Sequence, residues 1–234
     1  MPRLTLVSAF TLSVAALFAV STTSQEPAAA DTTVSEEAYV LIDRTADMAD
    51  NTSRPRDADT TIDRVIVHFM SAVNVDADDP YNIDLCLKIF NDYGVSAHYV
   101  VGRDGTVYQA VADDRIAYHA GRPDPRFKNH PDFQNMNGRS IGIELMSVST
   151  EADMTTGTAP MMSKQAYRSF AKKHPDWIGY TDAQYVALEG LMQDLRERHP
   201  AIQPDRKHIL GHDEYAGPRK KDPGQLFDWS RVRE

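Results

Sequence analysis

Two apolar segments of the chain each contain one side chain that is costly to bury. The β-branched run Val65-Ile-Val ends in His68, and Glu144 interrupts the short aliphatic run over 141–145. Runs of this kind predict buried strands. A buried imidazole or carboxylate needs a hydrogen bond, an ion pair or a metal ion. The residues alone leave two interpretations of His68 and Glu144 open, a metal or catalytic site and hydrogen-bonded core residues.

The remaining pattern alternates strands with helices. Asp79 and Pro80 predict the start of a helix that closes at Gly94, and Thr181 with Gln184 predicts a capping box at the start of the clearest helix. An Arg-Asp-Gly turn between two strands predicts a hairpin, which makes the sheet mixed. The expected fold class is therefore α/β, with a central mixed β-sheet flanked by helices. The other expected elements are strands over 95–101, 106–111 and 208–211, an edge or wrapping segment over 38–42, an irregular loop over 147–163 and a short helix over 164–173.

The N-terminus has the composition of an export signal. Arg3 precedes an apolar run that continues to Val20, and small residues follow. This order predicts a secretory signal peptide over 1–21, with a membrane anchor as the alternative. Residues 22–59 are expected to be a linker and N-terminal extension, and 60–234 the main domain. Cys86 is the single cysteine, so neither a lipoprotein nor an intrachain disulfide is expected. The predicted location is periplasmic or secreted, without a stable membrane anchor.

Charge and motif content narrow the function classes. The formal net charge is −9, and the longest basic run is 219–221, which argues against a nucleic-acid partner. The HExxH zinc motif is absent, and Gly211 makes a helical zinc pair of His208 and His212 a weak hypothesis. The turn-rich loop 211–224 brings histidine, lysine and aspartate together. By charge alone its other ionic residues are expected to be solvated: Asp213, Glu214, Arg219 and Lys221.

Six segments occur in an order that resembles a known family. They are VIVHFM (65–70), GVSAHYVVGRDGTVYQ (94–109), AYHAG (117–121), SIGIEL (140–145), YTDAQYVAL (180–188) and GHDEYAGPRKKDPG (211–224). Together they resemble the zinc-dependent type 2 N-acetylmuramoyl-L-alanine amidases, which are related to phage lysozyme-type amidases and peptidoglycan recognition proteins. The resemblance covers about residues 60 to 230, so the main domain 60–234 is expected to be a zinc amidase domain.

The resemblance also implies roles for individual residues. The implied Zn²⁺ ligands are His68, His212 and Asp222. The implied catalytic residues are Glu144 and Lys220, and His119 is implied to line the substrate groove. The implied activity is hydrolysis of the amide between the lactyl group of N-acetylmuramic acid and L-alanine, in peptidoglycan or a muropeptide, by a monomer. One alternative is a non-catalytic peptidoglycan-binding protein on the same scaffold. Another is a glycosidase using Asp113-Asp114 or Asp213-Glu214, which is disfavoured because adjacent loop residues seldom face each other across a sugar.

The sequence departs from the family pattern at four places, one of which carries a structural expectation. Phe69 follows the first implied ligand where a small or polar residue is usual, and is expected to narrow the cleft. Residues 146–179 are longer than in compact members, so this segment has no predicted role. Tyr118 stands where tryptophan is usual, and 216–218 has a reversed Pro-Gly order.

Overall fold

The computed structural model describes residues 3–4, 39–157 and 160–233. The strands are β1 (Arg3–Leu4), β2 (Leu41–Asp43), β3 (Ser53–Pro55), β4 (Arg64–Met70), β5 (Tyr99–Val101), β6 (Val107–Gln109), β7 (Arg115–Ala117), β8 (Ser140–Met146) and β9 (Ile209–Gly211). The α-helices are α1 (Ile83–Tyr93), α2 (Met136–Arg139), α3 (Glu151–Thr155), α4 (Lys164–Lys173), α5 (Asp182–Arg198) and α6 (His212–Ala216). Short 3₁₀ turns cover Thr45–Asp47, Asp50–Thr52, Pro125–Phe127, Pro131–Phe133, Pro175–Trp177, Gly217–Arg219 and Trp229–Arg231.

The main sheet is mixed. Its strand order over the described residues is β1-β2-β6-β5-β8-β4-β9, and β3 and β7 form a separate antiparallel pair. Strands β5, β8, β4 and β9 run parallel to one another, whereas β5 and β6 form the predicted antiparallel hairpin. Helices cover both faces of this sheet. The predicted fold class is thus confirmed.

Strand β4 divides its side chains between the two faces of the sheet. Val65 and Val67 pack with α5 in the largest apolar cluster, whereas Met70 packs with α1 on the opposite face. Successive side chains of a strand point to opposite faces, so His68 lies on the α1 face. Every residue of β4 is buried. The prediction of a fully buried strand carrying a polar side chain is confirmed.

The two principal helices have well-defined ends. Helix α5 begins with the predicted capping box between Thr181 and Gln184. Helix α1 ends at Gly94, whose φ of 63° is a left-handed conformation that favours glycine. Its start was wrongly predicted. The N-cap is Asn82, whose side chain accepts hydrogen bonds from two backbone N–H groups, so the Asp79–Pro80 pair lies in the loop before the helix.

The segment 146–179 forms a layer over the sheet rather than an irregular loop alone. Helix α3 lies inside the range expected to be irregular, because Thr150 caps it by accepting a hydrogen bond from the Asp153 N–H. Helix α4 has its predicted bounds. Phe69 is 3% exposed and packs in an apolar cluster with Val148 and Met154. It therefore faces this layer, opposite His68, and the expectation that it narrows the cleft is wrong.

The N-terminal predictions fall mostly outside the described residues. This applies to the signal peptide over 1–21, apart from the two residues of β1, and to the linker up to residue 38. Within the predicted extension, β2 joins the main sheet beside β6 and β3 pairs with β7. The domain boundary at residue 60 stays a prediction. No helix among the described residues is long and apolar enough to cross a bilayer.

Candidate metal centre

The order of the central strands brings three predicted site residues to one place. In the parallel pair β4–β8, His68 and Glu144 lie opposite each other. Strand β9 pairs with the other edge of β4 and ends at Gly211, so His212 follows directly beside the same region. The carboxyl ends of neighbouring parallel strands are where sites form in sheets covered by helices. The two polar anomalies of the sequence therefore belong to one site.

A loop brings Asp222 to the two histidines. The Asp213 N–H donates to the Asp222 carbonyl, which closes the loop after α6. Asp222 Oδ2 lies 2.7 Å from His68 Nδ1 and 2.9 Å from His212 Nδ1, and the two Nδ1 atoms are 3.0 Å apart. All three residues are buried, and Asp222 is the most exposed of them at 4%. Their donor atoms form a group that can hold a metal ion.

The protonation states show that this group fits a cation. His212 Nε2 lies 2.9 Å from the Ala120 carbonyl oxygen, which only accepts hydrogen bonds, so this nitrogen carries the hydrogen. In the neutral imidazole, His212 Nδ1 is then a lone pair directed at the carboxylate of Asp222. Two imidazoles and one carboxylate are donors that Zn²⁺ prefers in catalytic sites. The residues therefore suit a transition-metal ion such as zinc.

Burial sets the charge states of the group. Desolvation, together with the positive charge that His212 can carry, lowers the pKa of His68 to about 4, so its imidazole is neutral at neutral pH. Burial alone would raise the pKa of Asp222. The positive charge that the two histidines can carry, that of His212 above all, and the close approach of both imidazoles instead hold the pKa of that carboxyl well below its usual range. An anionic carboxylate beside two imidazole nitrogens, all converging on one point, is a suitable cation site.

Glu144 has the properties of a general base beside this group. Its Oε2 atom is buried and has no hydrogen-bond partner among the described residues. Desolvation and the negative charge of Asp222 raise the pKa of Glu144 to about 8, while the positive charge of Lys220 acts in the opposite direction. Lys220 is partly exposed, just before Asp222 in the same loop. A carboxylate with a raised pKa and a free oxygen is suited to proton transfer.

His119 lies directly behind His68. Its Nδ1 is 3.0 Å from His68 Nε2, and its Nε2 is 3.2 Å from Ser140 Oγ. Both ring nitrogens thus have protein partners, although the residue is partly exposed. Its substrate-groove role stays a prediction, as do the ligand and catalytic roles of the other five residues.

A comparison with protein families decides which family this site belongs to. A model of the N-acetylmuramoyl-L-alanine amidase family, Amidase_2, matches residues 58–225. The chain belongs to this amidase family. The resemblance drawn from the sequence motifs is confirmed.

Individual relatives of this family member agree with the assignment. The 1,6-anhydro-N-acetylmuramyl-L-alanine amidase AmpD of Citrobacter freundii is 35% identical over 139 residues, which are 59% of this chain and 56% of that protein. The chain thus spans little more than half the length of this relative. The N-acetylmuramoyl-L-alanine amidase AmiD of Escherichia coli (strain K12) is 28% identical over 69% of this chain and 51% of its own length. A crystal structure of a selenomethionine AmpD derivative superimposes with a TM-score of 0.51 and 29% identity, covering 77% of this chain and 88% of the other.

Sequence reasoning missed the residues that hold the Asp222 loop of this amidase-family chain. Asp153, which is 5% exposed, accepts hydrogen bonds from the Ser149 hydroxyl and from the Gln225 N–H. The Tyr180 hydroxyl donates to the Pro223 carbonyl at 2.6 Å. Both anchors come from the long 146–179 segment or directly follow it. An aspartate in an irregular Ser/Thr-rich stretch gave no signal of this role, because its partner is 72 residues away.

The expected solvation of the loop over 211–224 also needs correction. Glu214 was expected to be solvated, yet its carboxylate accepts from the Gly211 N–H at 2.8 Å and pairs with Arg233 at 2.6 Å. It therefore fixes the turn that precedes His212. The zinc pair of His208 and His212, which the sequence had disfavoured, does not form, since His208 Nδ1 lies 2.7 Å from Asp205 Oδ1 instead.

Proposed function

We propose that this protein is a zinc-dependent N-acetylmuramoyl-L-alanine amidase. The bond cleaved is the amide between the lactyl group of N-acetylmuramic acid and L-alanine. One observation carries the proposal, which is the partnerless carboxylate oxygen of Glu144 beside the convergent His68, His212 and Asp222 donors. A non-catalytic binder has no use for a buried general base, since an unpaired carboxylate oxygen destabilises the fold. The names of the relatives point to the same bond.

The residues of the site have separate roles in metal binding, proton transfer and charge stabilisation. His68, His212 and Asp222 would hold Zn²⁺, which when bound acts as a Lewis acid and lowers the pKa of water to about 7. Glu144 takes the proton of the attacking water at Oε2 and delivers it to the leaving nitrogen of L-alanine. The Lys220 ammonium supplies positive charge where the substrate carbonyl oxygen becomes negative. Each step uses a group whose raised pKa or charge suits its role.

The substrate and location remain part of the proposal. We infer that the protein acts on peptidoglycan or on muropeptides released from it, as a monomer outside the cytoplasm. The basic-apolar-small order of residues 1–21 supports export, and the relative from Citrobacter freundii is named for a 1,6-anhydromuramyl substrate. Both substrate forms therefore belong in the test.

The experiment is product analysis with a matched pair of variants. Zinc-loaded protein is incubated with purified peptidoglycan and with anhydromuropeptides, and the products are identified by mass spectrometry. An amidase releases peptides with free L-alanine amino termini. Glu144→Ala is expected to keep stoichiometric zinc and to lose hydrolysis by roughly two to four orders of magnitude, whereas Glu197→Ala, at an exposed position of α5, keeps both.

Other product patterns contradict the proposal. New reducing ends indicate a glycosidase, and binding without any product indicates a peptidoglycan-binding protein. Hydrolysis by Glu144→Ala at the wild-type rate removes this residue from the mechanism.

A further inference from the structure

The ring of His119 occupies a place on β8 that only a glycine leaves open. On the face of β8 that carries Ser140 and Glu144, the residue between them is Gly142. A Cβ atom built at Gly142 would lie 2.4 Å from the His119 Cγ atom, well inside van der Waals contact. The imidazole therefore fits against β8 because residue 142 has no side chain. In this position it lies between the strand and His68.

The hydrogen bonds of this ring can be assigned one proton at a time. The Met136 carbonyl oxygen only accepts, so the Ser140 hydroxyl 2.5 Å away donates to it. Ser140 Oγ must then accept from His119 Nε2–H, which leaves His119 Nδ1 as an acceptor. His68 Nε2 consequently carries the hydrogen that it donates to His119 Nδ1. The His68 Nδ1 lone pair is thereby left facing Asp222 and His212.

Ala120, the residue after His119, fixes the tautomer of His212 in the same way. The Ala120 carbonyl accepts from His212 Nε2–H, so residues 119 and 120 together contact the outer nitrogens of both histidines. The backbone N–H groups of these two residues donate to a single side-chain oxygen, Asn137 Oδ1, at 3.2 and 2.7 Å. We call the pair His119–Ala120 the bracket. One dipeptide, held by one asparagine, thus selects the tautomer of both imidazoles.

We propose that the bracket is a positioning device that fixes the Nε2–H tautomer of His68 and His212 and keeps both Nδ1 atoms available to the metal. The metal part of this inference rests on the proposed function. Mutation of a residue that hydrogen-bonds to a metal ligand in this way typically lowers metal affinity or activity by roughly 10–100-fold. His119 is then a positioning residue rather than a substrate contact alone, and Ser140 and Asn137 act through it.

Zinc affinity measured by chelator competition tests this role. His119→Leu removes the acceptor for His68 Nε2–H and is expected to weaken Zn²⁺ binding roughly 10–100-fold. His119→Asn offers an amide oxygen close to the Nδ1 position and is expected to recover part of that loss. Gly142→Ala displaces the ring and is expected to behave like His119→Leu. His130→Leu is the matched control, because His130 is an exposed histidine whose Nδ1 contacts the backbone N–H and the carboxylate of Asp132.

A second measurement does not depend on any variant. Nitrogen chemical shifts of ¹⁵N-histidine-labelled, zinc-loaded protein report which ring nitrogen of each histidine carries the hydrogen. Nε2–H is expected for His68 and His212. In Ser140→Ala the His119 ring loses its fixed acceptor, so mixed tautomers are expected for His119 and a smaller loss of zinc affinity.

The outcomes separate this inference from the proposed function. Zinc affinity unchanged in His119→Leu, with only a raised KM, would overturn the bracket and leave His119 as a substrate contact. An Nδ1–H tautomer at His68 would overturn it even where the variants fail to fold. If the wild-type protein binds zinc but releases no L-alanine termini, the proposed function fails, while the affinities and tautomers still decide the role of the bracket.

Discussion

Replacing Glu144 with glutamine is expected to stabilise the metal-free protein at alkaline pH. Burial and Asp222 raise the pKa of Glu144 from 4.5 to about 8 in the folded chain. A raised folded pKa means that the native state holds a proton which the unfolded chain has released. The free energy of unfolding therefore falls as pH rises from the unfolded pKa to the folded one, and stays lowered above it. Glutamine cannot ionise, so Glu144→Gln removes this loss.

The size of the effect follows from the shift. Each pKa unit corresponds to about 1.4 kcal/mol, so the difference between 4.5 and about 8 sets an upper value near 5 kcal/mol. The residue is partly exposed, and screening by solvent reduces this value. We expect a gain of about 2–3 kcal/mol for Glu144→Gln at about pH 9, and a difference near zero at about pH 4.

Urea denaturation of chelator-treated protein at several pH values measures this difference. Glu197→Gln on the exposed side of α5 is the matched control and should leave the curve unchanged at every pH. Added Zn²⁺ should narrow the gap, because a nearby cation favours the ionised form of Glu144. The raised pKa of Glu144 would be refuted by a Glu144→Gln variant that is less stable than wild type at about pH 9. A difference in unfolding free energy that does not change with pH would refute it as well.

Three further changes separate metal binding, catalysis and loop anchoring. Asp222→Ala should lose zinc measured by elemental analysis, because it removes the anionic donor of the group; full metal content would rule out Asp222 as a ligand. Lys220→Met should keep zinc yet lower hydrolysis roughly 10²–10³-fold, as measured by release of L-alanine termini, and an unchanged rate would exclude its charge from the mechanism. Asp153→Asn should cost about 1–3 kcal/mol in urea denaturation and weaken zinc binding, since its carboxylate holds the chain at Gln225. Unchanged zinc affinity in a destabilised Asp153→Asn would show that the Asp222 loop does not need this anchor.

The parts of the fold that sequence predicts well have local causes. Strands β4 and β8 follow from apolar runs, and helix α5 follows from a capping box whose two partners are three residues apart. The cost of burying His68 and Glu144 marked each of them as a candidate site residue, but their side-by-side placement came only from the register of β4 and β8. The order of β9, β4 and β8 required the structure, because strand order depends on contacts between distant segments.

The features that the sequence did not predict depend on the choice between nearby capping residues or on contacts between distant segments. The sequence signal at Asp79 and Pro80 placed the start of α1 too early, because Asn82, three residues later, has a side chain that accepts from the first backbone N–H groups of the helix. Helix α3 is short and rests on a single Thr150 cap. The position of His119 against Gly142 joins segments that no local pattern connects.

The site combines residues that the sheet positions with one residue, Asp222, that a loop brings to them. The parallel strands bring His68 and Glu144 together by register, and the end of β9 adds His212. Asp222 has no such support from a strand. Its loop is instead held by Asp153, within the 146–179 segment, and by Tyr180, which directly follows that segment. The third donor therefore depends on the layer over the opposite face of the sheet, and changes in that layer should alter metal binding before they alter the general base.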